Sequence, residues 1–384
     1  MSKKVLFCAT VDVHFRAFHL PFMRWFKEQG WEVHVAANGN TELPYVDRKI
    51  NLPIQRSPLQ WNNLKAYHEL KAIMNRESYE IVHCHTPMGG MLARLAAREA
   101  RKHGTKVIYT AHGFHFCKGA PLLNWLVYYP IEKILSHFTD CLITINEEDY
   151  ALAVTRGFKA LRIEHVHGVG VNTDRFRPFD DIHKQEIRLK LGYEPDDFLM
   201  FYAAEFNKNK NQQVLIEALA MIKDECPNAR LLLAGEGVLQ AKCSDLAKRL
   251  GVSDKVDFLG YRNDIDQILP MCDIAVASSI REGLPVNIME AMASGLPIIA
   301  CDNRGHRELV SNHKNGWILE QNDSHGLADK IKLLIRDQDL RLQLGKSGRE
   351  IMEQTYAIHE VLNEKCSIYT DFMGGRENVK WATQ

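Results

Sequence analysis

Residues 279–300 read SIREGLPVNIMEAMASGLPIIA, in which a Gly-Leu-Pro turn opens an amphipathic segment that is followed by a second apolar run. A short apolar run at 274–277 precedes this stretch, so the pattern predicts strand, turn, helix (286–294) and strand (297–301). Short, wholly apolar strands connected by helices are typical of a parallel sheet. Because the same alternation continues along the chain, the sequence predicts an α/β protein.

The alternation falls into two halves, which predicts two α/β domains. The predicted strands lie at 4–11, 31–37, 80–85, 106–112, 140–146 and 162–167, and then at 198–204, 230–234, 256–259, 274–277, 297–301 and 316–319. Between the halves, a stretch with Gly, Asp and Pro at 168–195 lacks sustained periodicity and is predicted to be a linker. We expect an N-terminal domain at 1–175, a C-terminal domain at 176–355, and a final helical segment at 356–384 that returns to the N-terminal domain.

Composition excludes several classes of protein. The chain has 384 residues with 46% hydrophobic and 25% charged residues, which is ordinary for a folded globular protein. Lys and Arg (48) balance Asp and Glu (48), which argues against a protein built to bind nucleic acid. The nine Cys residues form no C-x-x-C pair, which favours a reduced, cytoplasmic protein. The longest apolar patch is about half the length of a membrane span.

The turn before the 286–294 helix has the features of an anion site. The backbone N–H groups between Gly283 and Val286 would point out of the helix start and attract a phosphate or pyrophosphate. Glu282 and Glu290 stand eight residues apart, and Glu290 could accept hydrogen bonds from neutral hydroxyls beside the phosphates, as a sugar would supply. The alternative is a helix whose acidic residues only interact favourably with the helix dipole and bind no ligand.

The longer stretch 282–310, EGLPVNIMEAMASGLPIIACDNRGHRELV, resembles the C-terminal signature of the family 4 retaining glycosyltransferases. Three further segments resemble the family: GVGVNTDRFRP at 168–178, LLLAGEG at 231–237 and VDFLGYRNDI at 256–265. The resemblance covers essentially the whole chain. It implies the GT-B fold, with two facing Rossmann-like domains, parallel sheets and a cleft between them. It also implies a UDP-sugar donor held mainly by the C-terminal domain, an acceptor held by the N-terminal domain, and no metal or cofactor.

The resemblance also implies roles for individual residues. His112, in AHGFH at 111–115, would lie beside the anomeric carbon, Lys210 would neutralise the diphosphate, and Glu282 would hold the hydroxyls of the donor sugar. These three residues are the expected catalytic set. The other expected nucleotide-sugar-binding residues are Glu205, Lys208, Gly260, Tyr261, Arg262, Gly283, Leu284, Pro285, Val286 and Glu290, the last of these at the ribose.

Two segments depart from the family pattern. The usual G-R-x4-K reads AEFNKNKN at 204–211, so Glu205 stands where the family has arginine, while Lys210 keeps the lysine position and Lys208 offers a second ammonium. The loop after the first strand, ATVDVHFRAFHLPF at 9–22, lacks the common Gly-Gly. On the acceptor side we expect His14 and Arg16 from this loop, together with the residues His115 and Lys118.

Twelve of the 17 histidines precede residue 168, including His83 with His85 and His112 with His115. Such clusters are compatible with a metal site. Strand alternation weakens that interpretation, because His112 and His115 fall across a strand-to-loop change. The sequence therefore predicts no metal, and histidines that shape an acceptor pocket or pack in the core.

Residues 113–133, GFHFCKGAPLLNWLVYYPIEK, combine aromatic, apolar and basic side chains, and residues 1–180 carry 23 Lys and Arg against 17 Asp and Glu. This composition suits an anionic membrane surface or a polyprenyl diphosphate, and the alternative is a buried helix that covers the sheet. The segment, with NEEDY at 146–150 and the loop 207–211, most resembles bacterial exopolysaccharide or capsule glycosyltransferases.

The sequence thus predicts a retaining hexosyl- or N-acetylhexosaminyltransferase that acts on a lipid-linked oligosaccharide for a capsule or biofilm polysaccharide. We expect it in the cytoplasm or peripherally on the inner face of the cell membrane, beside other polysaccharide-assembly proteins. Two alternatives remain at this point. A sugar-nucleotide 2-epimerase would release a free nucleotide sugar without an acceptor, and a catalytically inactive nucleotide-sugar-binding protein would account for Glu205.

Overall fold

The computed structural model describes residues 2–374, which form two compact units. The N-terminal unit contains residues 2–169 and 361–374, and the C-terminal unit is Gly170–Glu360. These are the N-terminal and C-terminal domains below. Residues 375–384 of the predicted final segment lie outside the described residues.

The strands in the described part of the chain are β1 Lys4–Val11, β2 Glu32–Asn38, β3 Arg48–Asn51, β4 Ile81–His85, β5 Lys106–Ala111, β6 Cys141–Thr144, β7 Arg162–His165, β8 Phe198–Ala203, β9 Ala229–Ala234, β10 Val256–Gly260, β11 Ile274–Ala277, β12 Ile298–Cys301 and β13 Gly316–Leu319. The α-helices are α1 Val13–Phe18, α2 Leu20–Glu28, α3 Asn62–Glu77, α4 Pro87–Ala96, α5 Arg98–Lys102, α6 Leu122–Leu135, α7 Glu147–Thr155, α8 Asp181–Lys190, α9 Gln213–Ile222, α10 Gln240–Leu250, α11 Ile265–Ile268, α12 Val286–Ala293, α13 Arg304–Leu309, α14 Ser324–Arg336, α15 Gln338–Ile351 and α16 Ile358–Phe372. Short 3₁₀ turns follow α6 and α11, and a π turn follows α15. Within residues 2–374, no helix combines the length and apolar character needed to cross a membrane.

Each domain contains one wholly parallel sheet. The N-terminal sheet has the order β3-β2-β1-β4-β5-β6-β7, and the C-terminal sheet has the order β10-β9-β8-β11-β12-β13. Alternate residues of β1 enter two apolar clusters on opposite faces, Leu6 and Cys8 in one, Val5 and Phe7 in the other. Helices cover both faces, as the wholly apolar strands require. The prediction of two Rossmann-like α/β domains is confirmed.

The strand orders place a topological switch point in each sheet. In the N-terminal sheet, successive strands run outward in opposite directions from the neighbours β1 and β4, and in the C-terminal sheet they do so from β8 and β11. Ligands of such sheets bind outside the carboxyl ends of the strands at this point. The loops after β1, β4, β8 and β11 are therefore where a functional site is expected.

Two elements differ from the prediction. The edge strand β3 was missed, because its sequence RKIN is polar and its residues are half-buried or exposed. The predicted loop after β1 contains the short helix α1, which begins after Asp12. Asp12 does not cap this helix with its side chain, because its buried carboxylate accepts hydrogen bonds from Thr41 and pairs with Lys49. These partners are 29 and 37 residues away along the chain and give no local signal.

Candidate active site

In the C-terminal domain, the loop that follows β11 leads directly into α12. Leu284 and Pro285 are buried, whereas Glu282, Gly283 and Val286 are half-buried. Pro285, which immediately precedes the first helical residue, has φ −79° and ψ 112°. The first N–H groups of any helix have no partner within that helix, so α12 presents donors and the positive end of its dipole at this loop. The predicted helix start is confirmed.

Lys210 and Glu282 form an ion pair at the same end of the sheet, with 2.6 Å between Nζ and Oε1. Lys210 lies in a turn after β8, where its backbone N–H donates to the Asn207 side chain (3.1 Å). The Ser278 hydroxyl, after β11, donates to the Lys210 carbonyl (2.7 Å). The pair therefore joins the two loops of the switch point and holds an ammonium group beside the start of α12.

Glu290 lies one turn further along α12. Burial raises the pKa of its carboxyl to about 7, which the Arg175 charge partly opposes and the Asp266 charge reinforces. Arg175 itself pairs with Asp266 (2.7 Å between Nη2 and Oδ1). Glu290 is thus protonated more readily than an ordinary glutamate, and a protonated carboxyl can both donate and accept hydrogen bonds.

The predicted nucleobase segment lies at the end of β10. Gly260 has φ +66°, a conformation that favours glycine, and Tyr261 is 79% exposed. The Arg262 guanidinium pairs with Asp264 at 2.5 Å, which lowers the pKa of that carboxyl. Because Asp264 engages the Arg262 side chain, the backbone of this segment and the exposed Tyr261 side chain are what remain available for recognition. Among the other predicted residues, Glu205 and Lys208 are exposed.

Arg304 and Gly305, at the start of α13, also contact this loop and were not identified from the sequence. Arg304 Nε donates to the Glu282 carbonyl (3.0 Å). A Cβ at Gly305 would lie 2.9 Å from Glu282 Cβ, from Gly283 O and from Pro285 Cδ, so only glycine allows this approach. Both residues stand in the quoted signature, yet their contact with residues 282–285 follows from the pairing of β12 beside β11 and gives no signal in one sequence.

In the N-terminal domain, a cavity of about 620 Å³ opens at the carboxyl ends of β1, β4 and β5. It is lined by Thr10, Val11, His14, Arg56, Pro58, Thr86, Pro87, Met88, Met91, Tyr109, His112, Gly113, Phe114, His115, Phe116, Val127, Tyr128, Ile131 and Glu132. The structure therefore brings His112 of the predicted catalytic set together with His14 and His115 of the predicted acceptor side. Arg16 and Lys118 are exposed and are absent from this lining.

Two histidines of this cavity, His14 and His112, are neutral at physiological pH. Burial lowers the pKa of His14 to about 4 and that of His112 well below its usual value, and the nearby Lys365 charge acts in the same direction. His112 follows β5 directly, and its Nε2 lies 3.3 Å from Nδ1 of His85 at the end of β4. A neutral imidazole can hydrogen-bond to a hydroxyl as donor or acceptor, so this wall suits an uncharged sugar better than an anion.

Helix α6 forms part of the cavity wall and also an apolar surface. Leu122, Leu123 and Leu126 are 73%, 67% and 66% exposed, and only Glu132 and Leu135 of the helix are buried. The alternative of a buried covering helix is therefore wrong for the outer face of α6. Because Val127, Tyr128, Ile131 and Glu132 of this helix line the cavity, an apolar surface adjoins the site.

Comparison with known proteins defines first the class and then the family. A crystal structure of Anabaena Alr3699/HepE in complex with UDP-glucose has a TM-score of 0.77 with this chain at 18% identity, covering 96% of this chain and 99% of that one. The chain therefore has the GT-B fold.

Family models match both domains: "Glycosyl transferase 4-like" at residues 4–146 and "Glycosyl transferases group 1" at residues 183–351. The chain is 53% identical over 97% of its length, and 98% of the relative's, to EpsD of Bacillus subtilis (strain 168), which its name assigns provisionally to the glycosyltransferases. It is also 28% identical, over 81% of this chain and 80% of the relative, to the Escherichia coli UDP-Gal:alpha-D-GlcNAc-diphosphoundecaprenol alpha-1,3-galactosyltransferase. This chain belongs to the family 4, group 1 glycosyltransferases.

Proposed function

We propose that this glycosyltransferase moves a hexose or N-acetylhexosamine from a UDP-sugar to a polyprenyl-diphosphate-linked glycan, with retention of configuration, in the assembly of a bacterial exopolysaccharide or capsule. The observation that carries the proposal is the Lys210–Glu282 pair beside the start of α12, at the switch point of the C-terminal sheet. The names of the E. coli relative and of the HepE complex both include a UDP-sugar, which supports a UDP-sugar donor. The name of the E. coli relative also includes a sugar on diphosphoundecaprenol, which supports a polyprenyl-diphosphate-linked acceptor.

The donor side is suited to a departing diphosphate. Cleavage of the glycosyl–phosphate bond leaves an oxocarbenium-like sugar and a UDP anion, and positive groups must stabilise the latter. The Lys210 ammonium and the first amides of α12 would supply this charge, with the exposed Lys208 as a second ammonium. In this proposal these groups replace a metal ion. When the diphosphate replaces Glu282 as the ion-pair partner of Lys210, the Glu282 carboxylate becomes available to accept hydrogen bonds from sugar hydroxyls.

Glu290 is proposed to bind the ribose hydroxyls of the nucleotide. A charged carboxylate close to a diphosphate would repel it. The pKa of about 7 removes much of this repulsion, because the protonated Glu290 carries no charge and can still bind a diol. The burial of Glu290 on α12 is therefore compatible with an anionic ligand at the start of the same helix.

For retention we propose front-face attack, in which the leaving phosphate takes the proton of the acceptor hydroxyl. A double displacement would need a carboxylate nucleophile about 5 Å from a second carboxyl group. Glu282 is poorly suited to be that nucleophile, since its charge is engaged by Lys210 at 2.6 Å. His112 would orient the sugar through hydrogen bonds of its neutral ring.

The acceptor is proposed to enter the N-terminal cavity from a membrane surface. The exposed leucines of α6 would enter the interface of the inner leaflet, and the side chains that α6 adds to the cavity would lie next to the lipid-linked sugar. A lipid-linked acceptor has its diphosphate at this interface, where the exposed Lys118 and Arg16 could contact it. Other polysaccharide-assembly proteins would supply and extend such an acceptor at the same membrane.

Saturation-transfer NMR with a panel of UDP-, GDP- and ADP-sugars tests the donor assignment, with and without EDTA. We expect one UDP-sugar to bind without metal, and Glu290→Ala to lose that binding. Lys242→Ala, at an exposed position of α10, is the control and should bind like the wild type. Absence of binding by every nucleotide sugar would contradict the proposal, and release of a free epimerised nucleotide sugar would identify a 2-epimerase instead.

A further inference from the structure

Four histidines that are distant in the sequence meet at the switch point of the N-terminal sheet. His14 and His19 come from α1 and the residue after it, His85 ends β4, and His112 follows β5. One ring nitrogen from each lies within 4.8 Å of the others. Two nitrogen pairs are closer, at 3.1 Å for His14 with His19 and 3.3 Å for His85 with His112. Zn–N bonds of 2.0–2.1 Å imply nitrogens about 3.4 Å apart in a tetrahedral site, so the widest separation of 4.8 Å would have to contract by about 1.4 Å.

Two ring nitrogens of this cluster are buried without a hydrogen-bond partner. These are Nδ1 of His19 and Nε2 of His85, on side chains that are 1% and 0% exposed. The neighbouring buried His83 differs, because its Nδ1 contacts the Tyr369 hydroxyl (2.7 Å) and its Nε2 contacts the Thr110 hydroxyl (2.8 Å). An unsatisfied buried nitrogen is costly. These two nitrogens are not the ones that make the 3.1 and 3.3 Å contacts, so His19 and His85 would each bind a metal through either the contacting or the unpartnered nitrogen.

We propose that His14, His19, His85 and His112 form a binding site for a divalent transition metal ion of the zinc class. Neutral imidazole is the form that binds such metals, and it suits zinc, copper and nickel. The expectation that the histidine-rich half holds no metal was based on His83, His85, His112 and His115, a different set from the four that meet in the fold.

Lys365, on α16, is the charge that opposes a cation here. Its Nζ is buried without a hydrogen-bond partner and lies 4.5 Å from the centre of the Phe22 ring. Burial lowers its pKa to about 7, so a neutral amine is readily formed.

Occupation of this site would affect the cavity, because His14 and His112 also line it. A bound metal would occupy one nitrogen of each ring and fix the orientation of both. Zinc should then inhibit sugar transfer, and this consequence alone rests on the proposed function. The transfer reaction would remain independent of metal and insensitive to EDTA.

Metal binding by the full chain tests the site without any activity assay. The protein is stripped with a chelator and titrated with Zn²⁺ against a chromophoric competitor. We expect one Zn²⁺ per chain, with an affinity that falls at least about tenfold in His14→Ala and in His85→Gln, since even outer-shell changes cost that much. His103→Ala, whose side chain is 78% exposed on the N-terminal domain, should bind like the wild type.

Co²⁺ substitution in the wild type keeps the test decisive if a cluster variant does not fold. A four-coordinate nitrogen site gives intense visible bands, and these support the proposal. Sulfur-to-cobalt charge-transfer bands would show that cysteines bind the metal instead, and would overturn it. The weak spectrum of hydrated Co²⁺, the absence of stoichiometric Zn²⁺ binding, or equal affinity in folded His14→Ala and wild type would also overturn it. If the wild type does not bind zinc but still transfers sugar, the metal site is overturned and the proposed function stands.

Discussion

The switch points of the two sheets occupy equivalent places in their domains and differ in chemistry. In the C-terminal domain, two loops present an ammonium, a carboxylate and a helix start. In the N-terminal domain, the corresponding loops present neutral imidazoles beside an apolar helix. The difference matches the two halves of the proposed reaction, because one ligand leaves as an anion and the other enters as a neutral hydroxyl on a lipid.

Removal of the ammonium should have the largest effect and should fall on the donor side. We expect Lys210→Ala to lower the transfer rate by about 10²–10³, the usual loss for a group that stabilises developing charge. The rate is measured with the UDP-sugar that binds in the NMR panel, and Lys242→Ala should retain full activity. An unchanged rate in a folded Lys210→Ala variant would remove Lys210 from the mechanism.

Glu290 allows the donor side to be tested through stability. Its folded pKa of about 7 lies above the ordinary value of 4.5, so the wild type loses stability as pH rises through this window. The loss relative to Glu290→Gln should approach about 3 kcal/mol, at 1.36 kcal/mol for each pKa unit. Denaturant unfolding of both proteins at pH 5 and pH 8 measures it. A constant difference between the two proteins across this range would show that Glu290 has an ordinary pKa.

On the acceptor side, His112→Ala should separate catalysis from nucleotide binding. We expect the transfer rate to fall by about 10², within the range for a positioned hydrogen-bonding group. The Kd for UDP, measured by calorimetry, should change by less than about twofold, because His112 belongs to the N-terminal domain. Weaker UDP binding in step with the lost rate would contradict this division of roles.

The smallest expected effect concerns the membrane surface of α6. The double variant Leu123→Glu, Leu126→Glu should reduce binding to anionic vesicles at least about tenfold, because each exposed leucine contributes about 1.5 kcal/mol or more when buried in the interface. Leu342→Glu, at a 61% exposed position of α15, is the matched control. Equal vesicle sedimentation of the double variant and the wild type would argue against docking through α6.

The two sites also differed in how far the sequence could predict them. Glu282 and Glu290 stand in one contiguous stretch, and their helix start was predicted correctly because local spacing determines it. The contact of Arg304 with that stretch, and the meeting of His14, His19, His85 and His112, depend on which strands are neighbours in the sheet. Strand order is a property of the whole fold, so a single sequence read by itself does not predict these contacts.

The most direct measurement of the central claim is a transfer assay with purified protein, EDTA, a panel of labelled UDP-sugars and a polyprenyl-diphosphate-linked acceptor. We expect one UDP-sugar to label the lipid-linked product, with the anomeric configuration of the donor retained, and Lys210→Ala to abolish most of that labelling. A product with inverted configuration would contradict the front-face mechanism. Donor binding without any labelled lipid, or labelling that survives Lys210→Ala, would contradict the account of the two sites.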